Sequence, residues 1–134
     1  GLFVVLNPAP ANVEIKEYLQ YVDLITPNET ELEILGGIDE LSSYGIKTII
    51  TTLGSKGYEI YTQGKAKRYP CIKVDVVDTT AAGDTASGGL CAMLSKGESL
   101  ESAMAFGSRA ASIACSRDGA QKSIPTLDEV VNFK

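Results

Sequence analysis

Asp78-Thr79-Thr80-Ala81-Ala82-Gly83-Asp84-Thr85 is the stretch whose reading decides the fold. Before it, Lys73 to Val77 has the β-branched composition of a strand. After it, a long segment to about Lys96 has the character of a helix, and Gly97 ends it. A strand, a turn of small residues and a helix in succession are the core of an α/β unit. Small side chains at 81 to 83 let a ligand approach the backbone closely. The N–H groups at a helix start have no intrahelical partner, and the helix dipole makes that end attractive to an anion. Asp84 falls in the first helical turn, and the residues alone leave two readings open. It is either a favourable first-turn acid, or a base that takes a hydroxyl proton while the neighbouring N–H groups neutralise a transferring phosphoryl group.

Outward from this stretch, strands and helices alternate. Leu2-Phe3-Val4-Val5-Leu6 is a short continuous apolar run, expected to be a strand buried on both faces. It stops at Asn7-Pro8-Ala9-Pro10, which cannot be helical before its prolines. Val13 to Leu19 has helical spacing, and Asp23 to Thr26 is expected to form a second strand. Asn28 is expected to cap a helix rich in early acids, with Gly36-Gly37 as its stop. A short helical piece over 39–44 leads to a β-branched strand, Lys47 to Thr52. Gly54-Ser55-Lys56-Gly57 is a turn, and 58–61 with 65–69 read as a hairpin closed by Gln63-Gly64. Ser99 caps an alanine-rich helix to about Ser116, and Thr126 with Glu129 forms a capping box for a last helix to Phe133. The expected fold class is α/β with a mainly parallel central sheet, in a single domain over 1–134.

Composition narrows the function classes. With 134 residues the chain is long enough for one domain with a real core and too short for two. Net charge is −5 with no basic block, which argues against a nucleic-acid surface. No apolar stretch approaches the roughly 20 residues of a membrane helix, and 2–6 lacks the flanks of a signal peptide. Cys71, Cys91 and Cys115 form no C-x-x-C pair, so they read as packing residues in a cytoplasmic protein. The chain has no histidine, which removes Ser-His-Asp and Cys-His catalysis and leaves carboxylates, lysine, tyrosine or cysteine as candidate bases. Neither a P-loop nor a G-x-G-x-x-G fingerprint is present.

The stretch 78–85 resembles the C-terminal signature of the ribokinase-like (PfkB) carbohydrate kinases. Four further segments resemble the same family in the same order: Leu6 to Pro10; Thr26-Pro27-Asn28-Glu29-Thr30-Glu31, like its N-x-x-E segment; Ile50 to Gly57, like its nucleotide-binding strand and turn; and Asp118-Gly119-Ala120-Gln121 with Ser123 and Pro125, like its closing loop. The resemblance implies a three-layer α/β fold and an ATP-dependent kinase that phosphorylates a sugar hydroxyl. Ribose is the first candidate, with fructose, 2-keto-3-deoxygluconate and adenosine as alternatives. It implies Asp84 as catalytic base and an anion hole from the N–H groups of Ala81, Ala82, Gly83 and Asp84. Asn28 and Glu31 would hold the triphosphate and Mg²⁺ through water. Thr52, Gly54, Ser55, Gly57, Gly83 and Ser108 would line the nucleotide. A monovalent cation, commonly K⁺, would be held by Asp78, Thr80, Ala114, Arg117, Gly119 and Ser123, partly through carbonyls. On residue type alone, Asn28 and Glu31 are also a plain N-cap and first-turn acid.

Some positions depart from the family pattern. Ala86 stands where many relatives carry phenylalanine, Ser87 where asparagine is frequent, and Ser108 where histidine is frequent. The N-terminal sugar-binding region and lid of the family are not visible, so the chain is expected to be a C-terminal portion. A non-catalytic nucleotide-binding fragment is the second reading, and a homodimer is left open for the full-length protein.

Overall fold

The computed structural model describes residues 1–134, which separate into two compact units, Gly1–Pro70 and Cys71–Lys134. The first unit is built on a five-stranded sheet in the order β1-β2-β3-β4-β5. Its strands are β1 (Val5–Leu6), β2 (Leu24–Ile25), β3 (Thr48–Thr52), β4 (Tyr58–Thr62) and β5 (Lys65–Tyr69). β1, β2 and β3 run parallel, while β3–β4 and β4–β5 are antiparallel. The α/β class expected from the sequence is therefore what the chain adopts. In β3 the run Ile49-Ile50-Thr51 is wholly buried, as a central strand requires. β5 is an edge, exposed except at Tyr69, and its Lys65, Lys67 and Arg68 discourage pairing with another chain. Gln63 and Gly64, at φ of 52° and 75°, supply the two left-handed residues a tight hairpin turn needs.

Two short helices, α1 (Glu29–Ile34) and α2 (Gly37–Ser43), and a 3-10 helix over Val13–Tyr21 complete this unit. Leu19, Val22, Ile25, Leu35, Leu41, Ile46 and Ile49 form its buried core. The 3-10 form over Val13–Tyr21 differs from the α-helix that the spacing implied. Periods of 3.0 and 3.6 separate by only about one residue over two turns, so a short segment cannot tell them apart. β1 is also shorter than the apolar run. Leu2 and Phe3 are 93% and 62% exposed, not buried on both faces. β1 pairs with β2 alone, so nothing in the sheet covers its outer side.

The second unit is helical. α3 (Ala82–Ser95) and α4 (Leu100–Cys115) pack closely, with α5 (Leu127–Asn132) against α4. Ala110, Ile113 and Val130 form a buried cluster flanked by Phe106 and Phe133. The strand expected over Lys73–Val77 is not formed. A strand needs a neighbour for its backbone groups, and this unit contains none. Instead the N–H groups of Val77 and Asp78 donate to the Cys115 carbonyl, at 2.8 and 3.2 Å, and Val76 and Val77 stay exposed. No helix is long and apolar enough to cross a membrane.

Candidate functional site

The start of α3 has an unusual cap. Its N-cap residue is Ala81, at φ −100° and ψ 7°, with no side chain able to accept from the first turn. The Ala82 N–H folds back onto the Thr79 carbonyl at 3.1 Å, and the Thr85 N–H reaches the Ala81 carbonyl at 2.9 Å. The N–H groups of Ala81, Gly83 and Asp84 have no acceptor within the chain. A Cβ added at Gly83 would meet nothing within 4 Å, so the space over this turn is open. The Asp84 side chain is exposed and makes neither hydrogen bond nor ion pair. An uncapped, dipole-positive turn beside a free carboxylate can bind an anion and take a proton at adjacent points. Next to it, the Thr85 hydroxyl is buried without a partner, a feature the sequence did not signal.

Asp78 ties this turn to the closing loop. One carboxylate oxygen accepts the Thr80 hydroxyl and the Thr80 N–H (2.9 Å); the other accepts the Gly119 N–H at 3.2 Å. These bonds, the Thr80 hydroxyl first, hold the carboxyl below the ordinary aspartate value. Gly119 has φ +97°, and a Cβ there would run into the Lys122 side chain. Arg117 and Ala114 join the same region, the Arg117 N–H donating to the Ala114 carbonyl at 3.1 Å. Ser123 is buried and donates its hydroxyl to the Ala120 carbonyl at 2.6 Å, without a direct bond to Asp78. An ion held by these candidate residues would meet only hard oxygen donors, which fits an alkali cation better than a transition metal. No three His, Cys, Asp or Glu side chains converge as a metal cluster. Ser108 lies half-buried on α4, its carbonyl accepting the Ser112 hydroxyl at 3.1 Å.

One connection was not legible in the sequence, where Glu129 reads only as half of a capping box. Its carboxylate takes both arms of the Arg117 guanidinium, at 2.7 and 3.4 Å, while accepting the Thr126 N–H at 2.7 Å. Arg117 first, then Thr126, pull the Glu129 carboxyl down to about 2.

The remaining candidates belong to the first unit. Asn28 caps α1 reciprocally with Glu31: each side chain accepts the other residue's N–H at 2.8 Å. One oxygen of Glu31 is left for a further contact through water. An isolated parallel bridge sets Asn28 beside Thr52, and the Thr52 N–H donates to the Pro27 carbonyl at 2.9 Å. Beyond Thr52 the chain turns through Gly54–Lys56, a 3-10 helix closed by Leu53 N–H to the Gly57 carbonyl at 2.8 Å. Gly54 and Gly57, at φ of 58° and 99°, make the turn possible. Thr52 thus ends β3, and Gly54, Ser55 and Gly57 lie past its carboxyl end, where open α/β sheets bind ligands. A cleft of about 620 Å³, lined by Asp23, Ser42, Lys47, Thr48, Tyr61 and Gln63 among others, lies at the opposite end of the strands and includes none of the candidate residues.

Residues 2–127 match the family model described as pfkB family carbohydrate kinase. The chain is similar to a ribokinase of Haemophilus influenzae, 44% identical over 145 residues, covering 99% of this chain and 47% of that protein. The crystal structure of ribokinase from Thermotoga maritima superposes with a TM-score of 0.91 at 38% identity, covering 98% of this chain and 48% of that one. Ribokinase of Arabidopsis thaliana, complexed with ribose and ATP, gives a TM-score of 0.82 at 30% identity, over 98% of this chain and 47% of that one. The chain spans about half the length of the curated relatives it matches.

Proposed function

The chain belongs to the pfkB family of carbohydrate kinases, and from that membership we propose that it is the nucleotide-binding, catalytic portion of an ATP-dependent sugar kinase whose acceptor is D-ribose. The observation that carries this reading is the start of α3, where unpaired N–H groups and the unengaged Asp84 carboxylate share one turn. Asp84 accepts the acceptor hydroxyl proton as that oxygen bonds to the γ-phosphorus of ATP and the bond to the ADP oxygen breaks. The N–H groups of the 81–84 turn neutralise charge on the transferred group. Ribose and ATP become ribose 5-phosphate, ADP and a proton.

Thr52, Gly54, Ser55, Gly57, Gly83 and Ser108 line the nucleotide in this reading. Asn28 and Glu31 would hold Mg²⁺ through water, and the ion would supply charge neutralisation on the phosphates. Asp78, Thr80, Ala114, Arg117, Gly119 and Ser123 would hold K⁺, whose charge would help fix the loop between Asp78 and the closing segment. The ribose and ATP of the Arabidopsis relative support the substrate pair. A cytoplasmic location and a homodimeric full-length protein belong to the same proposal.

A coupled kinase assay on the full-length protein tests it, comparing ribose, fructose, 2-keto-3-deoxygluconate and adenosine with and without K⁺, and wild type with Asp84→Ala. Ribose-dependent turnover that K⁺ stimulates and the variant loses is the expected result. Turnover on another acceptor alone would refute ribose. ATP binding without turnover on any acceptor would leave a nucleotide-binding module instead.

A further inference from the structure

We propose that Arg117 and Glu129 are positioning residues, an ion pair through which α5 holds the 117–123 loop in register against Asp78 and so steadies the turn that opens α3. The starting point is the shortness of α5. Six residues cannot hold a helix in water by themselves. α5 is fixed by two local devices: Val130 is buried against Ala110 and Ile113 of α4, and the Thr126–Glu129 capping box closes its first turn. Glu129 therefore sits on a helix anchored to α4 through Val130.

From that helix its carboxylate grips Arg117 with two contacts, at 2.7 and 3.4 Å. Arg117 is held from the other side by its N–H on the Ala114 carbonyl. Two residues on, the Gly119 N–H meets Asp78, whose other oxygen holds Thr80, the residue before the Ala81 N-cap. The connection from α5 to Thr80 is thus made of the Glu129–Arg117 pair, the main chain from Arg117 to Gly119, and the bonds of Gly119 and Thr80 to Asp78. Most surface ion pairs contribute little, because two long side chains must be ordered for one contact. Here the carboxylate is already ordered by the cap, and the guanidinium meets it two-pronged, the arrangement in which such a pair acts most strongly.

The link to phosphoryl transfer rests on the kinase reading, but the mechanical role can be tested without it. Hydrogen–deuterium exchange would be followed in the full-length protein for wild type, Glu129→Gln, Arg117→Lys and Thr126→Ala. Glutamine keeps an oxygen for the Thr126 N–H, so the cap survives while the negative charge facing Arg117 is lost. Thr126→Ala removes the hydroxyl half of the cap but keeps the N–H that orders the Glu129 carboxylate, so the ion pair stays. The expected result is exchange about three- to fivefold faster in 117–123 and 78–80 for Glu129→Gln. Arg117→Lys, which keeps the charge but not the fork, falls between it and wild type. Thr126→Ala changes exchange only over 126–132. Unchanged protection at Gly119 and Thr80 in Glu129→Gln, or an equal loss there in Thr126→Ala, overturns the proposal. A second arm measures thermal midpoint against KCl concentration, where Glu129→Gln should need several-fold more salt for half of the wild-type rise. A wild type without any K⁺ response would refute the cation reading, and the exchange comparison would still decide the role of the pair.

Discussion

Gly107→Ala is the substitution with the most sharply defined structural consequence. Gly107 lies on α4 where it crosses α3, opposite Gly89, whose own Cβ would fall 2.8 Å from the Gly107 Cα. A methyl added at Gly107 would overlap the Ala86 carbonyl oxygen and sit 3.0 Å from the Leu90 nitrogen and 3.3 Å from the Ala86 carbonyl carbon. All three are main-chain atoms of α3, so no side chain can rotate away. To restore ordinary contact, α4 must back off α3 by about 1 Å. Overpacking of this kind costs about 1–3 kcal/mol, with a rigid obstacle at the upper end. Alanine returns about 0.5–1 kcal/mol through helix propensity. The net expectation is a loss of about 1–2 kcal/mol. Gly88→Ala, one residue from Gly89 in α3, is the control: its Cβ meets nothing within 4 Å, so the propensity gain of about 0.5–1 kcal/mol stands alone. Urea denaturation of the full-length protein, read as midpoint shifts at constant m, measures both. Ala86 is two residues from Asp84, so the displacement should also lower kcat/KM, and a shift of this size can cost up to about 10²-fold. Gly107→Ala at or above wild-type stability, matching Gly88→Ala, would show that the helices part at no cost and refute the reasoning.

Asn28→Ala should lower stability by about 0.5–2 kcal/mol through loss of the α1 cap and raise the KM for MgATP without raising that for the sugar; Asn28→Asp, which still caps, should restore the stability, and chemical denaturation with steady-state kinetics separates the two effects. The Glu129 carboxyl is held at about 2, below its ordinary 4.5, so its stabilising contribution is present above pH 4.5 and is lost as pH falls toward 2. The urea midpoints of wild type and Glu129→Gln should accordingly differ at pH 6 and converge across that window; a constant gap down to pH 2 would mean that ionisation of Glu129 is not what the substitution removes.

The features legible in the sequence share one property: their causes lie within a few residues. The Asn28–Glu31 and Thr126–Glu129 boxes each close over three positions. The turn at Gln63-Gly64 and the placing of Asp84 in the first turn of α3 are equally local. Features that misled or stayed hidden depend on partners far along the chain. Lys73–Val77 has a strand's composition, but its last N–H group goes to Cys115. The Arg117–Glu129 link spans twelve positions across an irregular loop, and the meeting of Gly107 with Ala86 depends on how two helices cross. The candidate site divides in the same way. The uncapped turn and its acid follow from Ala81-Ala82-Gly83-Asp84, but what fastens that turn does not. Asp78 looks like a loop-capping aspartate, and toward Thr80 it is one. Its second oxygen, on Gly119, turns a local cap into a tie between the two ends of the helical unit. The group proposed to do the chemistry is thus written in a few adjacent letters, while the groups that would hold it still are distributed along the chain and become visible only in the fold.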